Sequence, residues 1–264
     1  ISNLSGGLIL GKGTLTSFNV TNFYDIGDNL VTSNLEVGAK IVNATGGTIL
    51  ASGETLVLKN GFSANTQAGM IGTTNGGTLR LGDGTLALTN SGTGTVRLQG
   101  GALQLGSLVN EGSLVGAGAV QAASVISSGL LSPGFSPGTL SFSNDLTLTV
   151  AAQLVFEIAG TNALAYDRLL IGGAFAKAGT VLVTNLGWGF AAGDTFDFFE
   201  AGSLSGSFTS MLPLPDLAGG LTWDTTLFES HGIMSVVGVI PEPGVVSLLL
   251  LASAGFLVFR QRRK

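Results

Sequence analysis

Apolar and polar residues alternate one by one over short runs through most of the chain. In Thr78-Leu79-Arg80-Leu81 and Thr95-Val96-Arg97-Leu98 the aliphatic side chains fall on one face and the threonines and arginines on the other. A period of two predicts strands with one buried side, and almost nothing before residue 145 has helical periodicity. Related phrases recur, each opening near a glycine: Gly47-Thr48-Ile49-Leu50, Gly84-Thr85-Leu86-Ala87-Leu88 and Gly101-Ala102-Leu103-Gln104-Leu105. One such strand cannot bury its apolar face alone, so copies must stack on a shared core. Successive strands lie about seven to ten residues apart, a spacing that suits the sides of a coil. The expectation is an all-β fold, with a right-handed parallel β-helix of two or three strands per coil over residues 1–144.

The pattern changes twice. Ser132-Pro133-Gly134 and Ser136-Pro137-Gly138 are two tight turns in quick succession, which a central strand does not accept, so a corner is expected there. From 145 to 237 the alternating strands lengthen and large apolar residues become frequent, as in Gln153-Leu154-Val155-Phe156-Glu157-Ile158 and Thr195-Phe196-Asp197-Phe198. These predict a meander-like set, a β-sandwich-like C-terminal cap that covers the open strand edges of the coil.

The second change is at the end. Pro241-Glu242-Pro243 precedes an uncharged apolar run over 244–259, and Arg260-Gln261-Arg262-Arg263-Lys264 follows it. The prolines end the preceding sheet and allow a helix to start. Sixteen residues make a helix about 24 Å long, short of the ~30 Å hydrocarbon core, and snorkelling by Arg260 and Arg262 covers the difference. With four of the eleven basic residues in the last five positions, the positive-inside rule puts the tip in the cytoplasm and everything before Pro241 outside. Residues 238–264 are thus expected to be a separate anchoring segment.

This tail resembles the PEP-CTERM sorting signal of Gram-negative bacteria, the proposed substrate of membrane transpeptidase-like proteases called exosortases. Position 240 is Ile, where Val is commoner in that family. The resemblance implies that Pro241, Glu242 and Pro243 are the sorting motif and that Arg260, Arg262, Arg263 and Lys264 are the cytoplasmic basic anchor. It also implies an inner-membrane intermediate, an exosortase as partner, and release of the body to the cell surface or to an extracellular polysaccharide matrix. The body from about 75 to 237 resembles the C-terminal part of β-helical passenger regions of autotransporter-like surface proteins. Leu131-Ser132-Pro133-Gly134 with Ser136-Pro137-Gly138-Thr139-Leu140, then Tyr166-Asp167-Arg168-Leu169, Gly193-Asp194-Thr195-Phe196 and Gly206-Ser207-Phe208 carry that likeness.

Composition agrees with an exported body. The chain of 264 residues has no cysteine, 42 glycines and only 10% charged residues, so disulfide frameworks and thiolate chemistry are out. Ahead of Arg260 the net charge is −9, which repels nucleic acid and anionic lipid. A first residue of Ile leads to the expectation of an export signal upstream.

Candidate chemistry is thin. Gly6-Gly7-Leu8-Ile9-Leu10-Gly11-Lys12-Gly13 approaches the phosphate-cradling loop, but Gly13 stands where a hydroxyl is needed and Leu8-Ile9-Leu10 reads as strand. His231 is the sole histidine, and its neighbours Ser230 and Glu229 are placed by the chain rather than as a triad. Gly82-Asp83-Gly84 reads as a tight turn. Asp167 and Asp224, each following an aromatic residue, read as turn acids that accept backbone N–H groups, although exposed carbohydrate contacts would use the same pairs. Asn19-Val20-Thr21 and Asn43-Ala44-Thr45 match a glycosylation pattern that carries little weight in a bacterial chain.

No catalytic residue, cofactor or metal site is indicated, and the expectation is a non-enzymatic structural or adhesive surface protein. Two alternatives stand beside it. One is a β-helical polysaccharide lyase or hydrolase, which would need converging carboxylates or a carboxylate near Arg97 or Lys59. The other is a single-pass anchored protein whose tail is never cut.

Overall fold

The computed structural model describes residues 2–3, 8–10, 14–15, 35–38, 40–134 and 137–239. The body is all-β and is dominated by parallel strands that pair coil upon coil. Thr48 lies beside Met70, Met70 beside Thr95, Thr95 beside Ser113 and Ser113 beside Leu130. The same column continues from Leu130 to Gln153, Thr180 and Ser210. One coil takes as few as 17 residues, between Gln104 and Gln121, and as many as 40, between Leu8 and Thr48; from Thr48 onward the longest is 30, between Thr180 and Ser210.

Strands of three such columns form three faces. The first holds Thr48–Ser52, Met70–Thr74, Leu130–Pro133, Gln153–Ile158 and Thr180–Asn185. The second holds Leu35–Val37, Thr55–Leu58, Thr78–Leu81 and Thr139–Phe142. The third holds Thr66–Gln67, Ala87–Asn90, Ser107–Asn110, Ser124–Ser127 and Asp145–Leu148. The long strands Thr95–Gln104 and Ser113–Gln121 turn from the first face to the second, with a shift of register between Gln99 and Ala102. Arg168–Lys177 and Phe199–Gly206 serve the second and third faces in the same way.

Alternation makes each inward position a ladder, because parallel pairing in register sets like parity beside like. On the first face Ile49, Ile71, Val96, Leu114, Leu131, Leu154 and Val181 stack in sequence, each at most 1% exposed. Leu56, Leu79, Leu103, Val120 and Phe142 do so on the second, and Leu88, Leu108, Val125, Leu146 and Phe175 on the third. The three ladders meet in one continuous core.

The stretch 145–237 differs from the sandwich expected for it. Parallel pairing crosses residue 145 unbroken: Thr139 lies beside Arg168, Leu146 beside Phe175 and Leu169 beside Phe199. Antiparallel strand pairing joins Thr195–Asp197, Leu221–Asp224 and Ile233–Gly238, and single antiparallel bridges link Gly116 with Gly134 and Ile158 with Tyr166. Alternation tells which side chains turn inward but not which way the neighbouring strand runs. The small antiparallel sheet adds its own apolar side, with Phe196, Met234 and Val236, to the same core.

Among the described residues no helix is long and apolar enough to cross a membrane. The helix expected over 244–259 lies outside them, as do Pro241, Glu242, Pro243, Arg260, Arg262, Arg263 and Lys264. Leu8–Leu10, within the near-miss phosphate loop, is a strand that pairs in parallel with Thr48–Ser52.

Candidate functional site

Polar side chains inside the coil are the first feature to place. Asn43, Gln67, Asn90, Asn110 and Ser127 are buried at 2% exposure or less. Gln67, Asn90, Asn110 and Ser127 occupy one register position at the end of successive third-face strands, with Gln67 beside Asn90, Asn90 beside Asn110 and Asn110 beside Ser127, and Asn43 ends the short strand Val42–Asn43. Asn43 Nδ2 donates to Gln67 Oε1 at 3.1 Å, and Gln67 Nε2 donates to Asn90 Oδ1. Asn90 Nδ2 donates to Asn110 Oδ1 at 2.7 Å, and Asn110 Nδ2 to Ser127 Oγ at 2.9 Å. The same amides also donate to the carbonyls of Met70, Ser113 and Leu130 at 3.1 Å, where the chain turns into the next coil. A buried amide is tolerated only when it is paired, and stacking like amides satisfies each by its neighbour. This amide ladder was not read from the sequence. Its signal is an Asn at inward parity, as in Leu88-Thr89-Asn90 and Leu108-Val109-Asn110.

Asp167 is the second buried polar group, with no exposed surface. Its Oδ1 accepts the Gly138 N–H at 2.7 Å and its Oδ2 the Glu157 N–H at 2.9 Å. It therefore ties the Ser-Pro-Gly corner to two later strands, and the turn-acid reading holds with partners far away in sequence. Burial pushes its carboxyl up to about 7, against the two N–H donors and with the nearby Glu157 charge. Gly134 leaves room for it, since a Cβ there would lie 2.6 Å from Asp167 Oδ1.

The last coil ends in aromatic rings and one buried cation. Lys177, 5% exposed, donates to the backbone oxygen of Glu229 and pairs with Glu229 Oε2 at 2.8 Å. Its Nζ lies 5.9 Å from the Phe199 ring centroid and 5.8 Å from that of Phe208. The pair fixes the one-turn helix Phe228–His231, which ends at Gly232 in the left-handed region. Ser230 Oγ and His231 Nδ1 are 2.8 Å apart, but both are exposed, and Glu229 is engaged by Lys177 and by the Phe208 N–H. The chain neighbours of the sole histidine thus do not assemble a triad.

Several other polar side chains are held by neighbouring groups. Asp224 accepts the Thr226 N–H at 2.9 Å and its hydroxyl at 2.7 Å, and these bonds hold its carboxyl below the usual range. Trp223 Nε1 donates to the Pro215 carbonyl, and Trp188 Nε1 to Asp194 Oδ2 at 3.0 Å. Lys59 pairs with Glu36 at 2.7 Å. Gly84 sits at a φ of 82° in the turn after Asp83, as the Asp-Gly pair suggested. Among the described residues no group of three His, Cys, Asp or Glu is placed to hold a metal ion.

What the coil presents outward differs by face. Arg97 and Glu157 stand on the first face, and Glu36, Arg80, Arg168 and Glu200 on the second. The third face shows an outward column of Thr66, Thr89, Val109, Ile126, Thr147, Ala176 and Ser205, strand beside strand. No protein-family model matches the sequence, and no curated protein matches it.

Proposed function

We propose that this chain is an exported bacterial cell-surface or extracellular-matrix protein with a structural or adhesive role. Its body is a stiff right-handed β-helical rod, closed at the C-terminal end by a small antiparallel cap, and its tail is a PEP-CTERM signal cut by an exosortase. The observation that carries the reading is the order Pro241-Glu242-Pro243, uncharged apolar run, basic end, placed directly after the last strand of the body. The interior supports it, because the buried polar groups Asn90, Asn110, Asp167 and Lys177 are all engaged in bonds that join one part of the coil to another.

Mass spectrometry of the protein recovered from its own cells tests this. The expected result is a mature body outside the cytoplasm that ends near Pro241, and a precursor that accumulates in the inner membrane when Pro241, Glu242 and Pro243 are all replaced by alanine. An intact Lys264 terminus on all of the membrane protein would favour a permanent anchor instead. Recovery of the whole chain from the cytoplasm would sink the proposal.

A further inference from the structure

The third face is the one on which the coil presents almost no charge. Among its described outward strand positions only Asp145 is ionisable, and its Oδ1 is turned onto the Ala174 N–H at 2.8 Å. In the column through Thr89, Val109, Ile126 and Thr147, Val109 is 36% and Ile126 43% exposed. We propose that this face is a lateral docking surface for a second copy of the same chain, so that two rods join side by side.

A second copy of the chain suits this face in charge, in spacing and in side-chain type. The chain is acidic, with a net charge of −5, and two copies repel least where neither presents charge. The column places one β-branched or small side chain per coil, at the ~4.8 Å interval between neighbouring strands. Its ridges fit a surface with the same interval, and a second copy has that interval by construction. A sugar chain would instead be met by ring platforms, and Tyr166, Trp188 and Trp223 all belong to the C-terminal end. The seven strands of the column span about 30 Å along the stack, and two outward positions per strand give about 10 Å of width. The area is roughly 300 Å² per copy, below the ~800 Å² per partner of a stable complex, so the association is weak and depends on concentration. This goes beyond the proposed function and does not depend on how the tail is processed.

The absence of cysteine gives a clean test on the full chain in detergent micelles. Ile126→Cys puts one thiol on the third face, and Val150→Cys puts one at a turn between faces that is 78% exposed. With copper-phenanthroline as oxidant, Ile126→Cys is expected to form disulfide-linked dimers about ten times faster than the more exposed Val150→Cys. The rate should rise between about 50 and about 500 mM NaCl, as repulsion between the acidic rods is screened. By sedimentation, Ile126→Lys is expected to weaken association about ten-fold without changing the circular dichroism. Equal cross-linking rates at the two positions would overturn the proposal. So would a dimer that survives Ile126→Lys, which would place the pairing on another surface or on the tail.

Discussion

The side-chain amide of Asn90 donates to Oδ1 of Asn110 across 2.7 Å, and both residues are wholly buried. Asn90 also receives the amide of Gln67 and donates to the Ser113 carbonyl. Replacing it with alanine therefore orphans a donor on one side and an acceptor on the other, each costing about 1–3 kcal/mol when sealed from water. Asn90→Ala is expected to destabilise the body by about 3 kcal/mol, seen as a lower urea midpoint. Asn144, which is exposed and donates to the Ala122 carbonyl at 2.8 Å, is the comparison. Asn144→Ala should cost under ~1 kcal/mol. Equal losses for the two variants would mean that the ladder contributes nothing beyond a surface hydrogen bond.

Asp167 gives the body an unusual pH dependence. Burial raises its carboxyl from 3.8 to about 7, so the folded chain holds this proton at pH values where the unfolded chain has released it. Its contribution is fully present below about pH 4 and is lost as pH rises through about 7. Asp224 acts in the opposite sense: its lowered carboxyl favours the folded state above 3.8 and loses that effect in more acid solution. Urea midpoints taken between about pH 4 and pH 7.5 should fall with rising pH in the parent chain more steeply than in Asp167→Asn. An identical slope in both chains would remove Asp167 as the cause.

Close approach of neighbouring coils sets the next expectation. A Cβ on Gly72 would lie 1.9 Å from the Arg97 carbonyl oxygen, a backbone atom one coil away. Neither partner gives way without opening the pairing of Met70–Thr74 with Thr95–Gln104. Gly72→Ala is expected to cost several kcal/mol or to abolish soluble expression, by roughly the mechanism of overpacking a core. Gly92, with open space around its Cβ position and no left-handed φ, should accept alanine within about 0.5 kcal/mol. A stable Gly72→Ala protein with parent-like melting would contradict the coil spacing described above.

The inward ladders were legible because a period of two survives any choice of partner strand. Leu79, Leu81, Val96 and Leu98 are all fully buried, on the face assigned to them by alternation alone. Pairing direction was not legible. The strands Gln153–Ile158 and Thr180–Asn185 alternate as a sandwich strand would, yet they pair in parallel. Long connections such as 159–165 and 186–194 widened the coil and hid its repeat. Asn90 and Asn110 are hidden for a different reason, since an asparagine two residues before a glycine normally marks a turn. Only inward parity at successive coils separates a laddered amide from a loop amide. Asp167 was assigned as an acceptor of N–H groups, but partners at Gly138 and Glu157 could not be inferred from its immediate neighbours.

The Lys177–Glu229 pair gives the last expectation, because its two partners stand in unequal surroundings. The Lys177 side chain is 3% exposed and that of Glu229 47%. Lys177 carries its apolar stem into the rings of Phe199 and Phe208, so its packing and its charge are separable. Lys177→Met keeps the stem and removes the buried ammonium, and it is expected to leave stability within about 1 kcal/mol of the parent. Glu229→Ala keeps the ammonium and removes its carboxylate, which also frees the Phe208 N–H. That variant is expected to lose about 2–4 kcal/mol, concentrated where Phe228–His231 closes the coil. Hydrogen exchange should report it first at the Phe198 N–H, which donates to Gly232, and at the Gly232 N–H itself. The double variant should recover most of the loss, since no buried charge is then left alone. If Lys177→Met proved as damaging as Glu229→Ala, the pair would be holding Phe228–His231 in place by its charge rather than by the packing of the lysine stem.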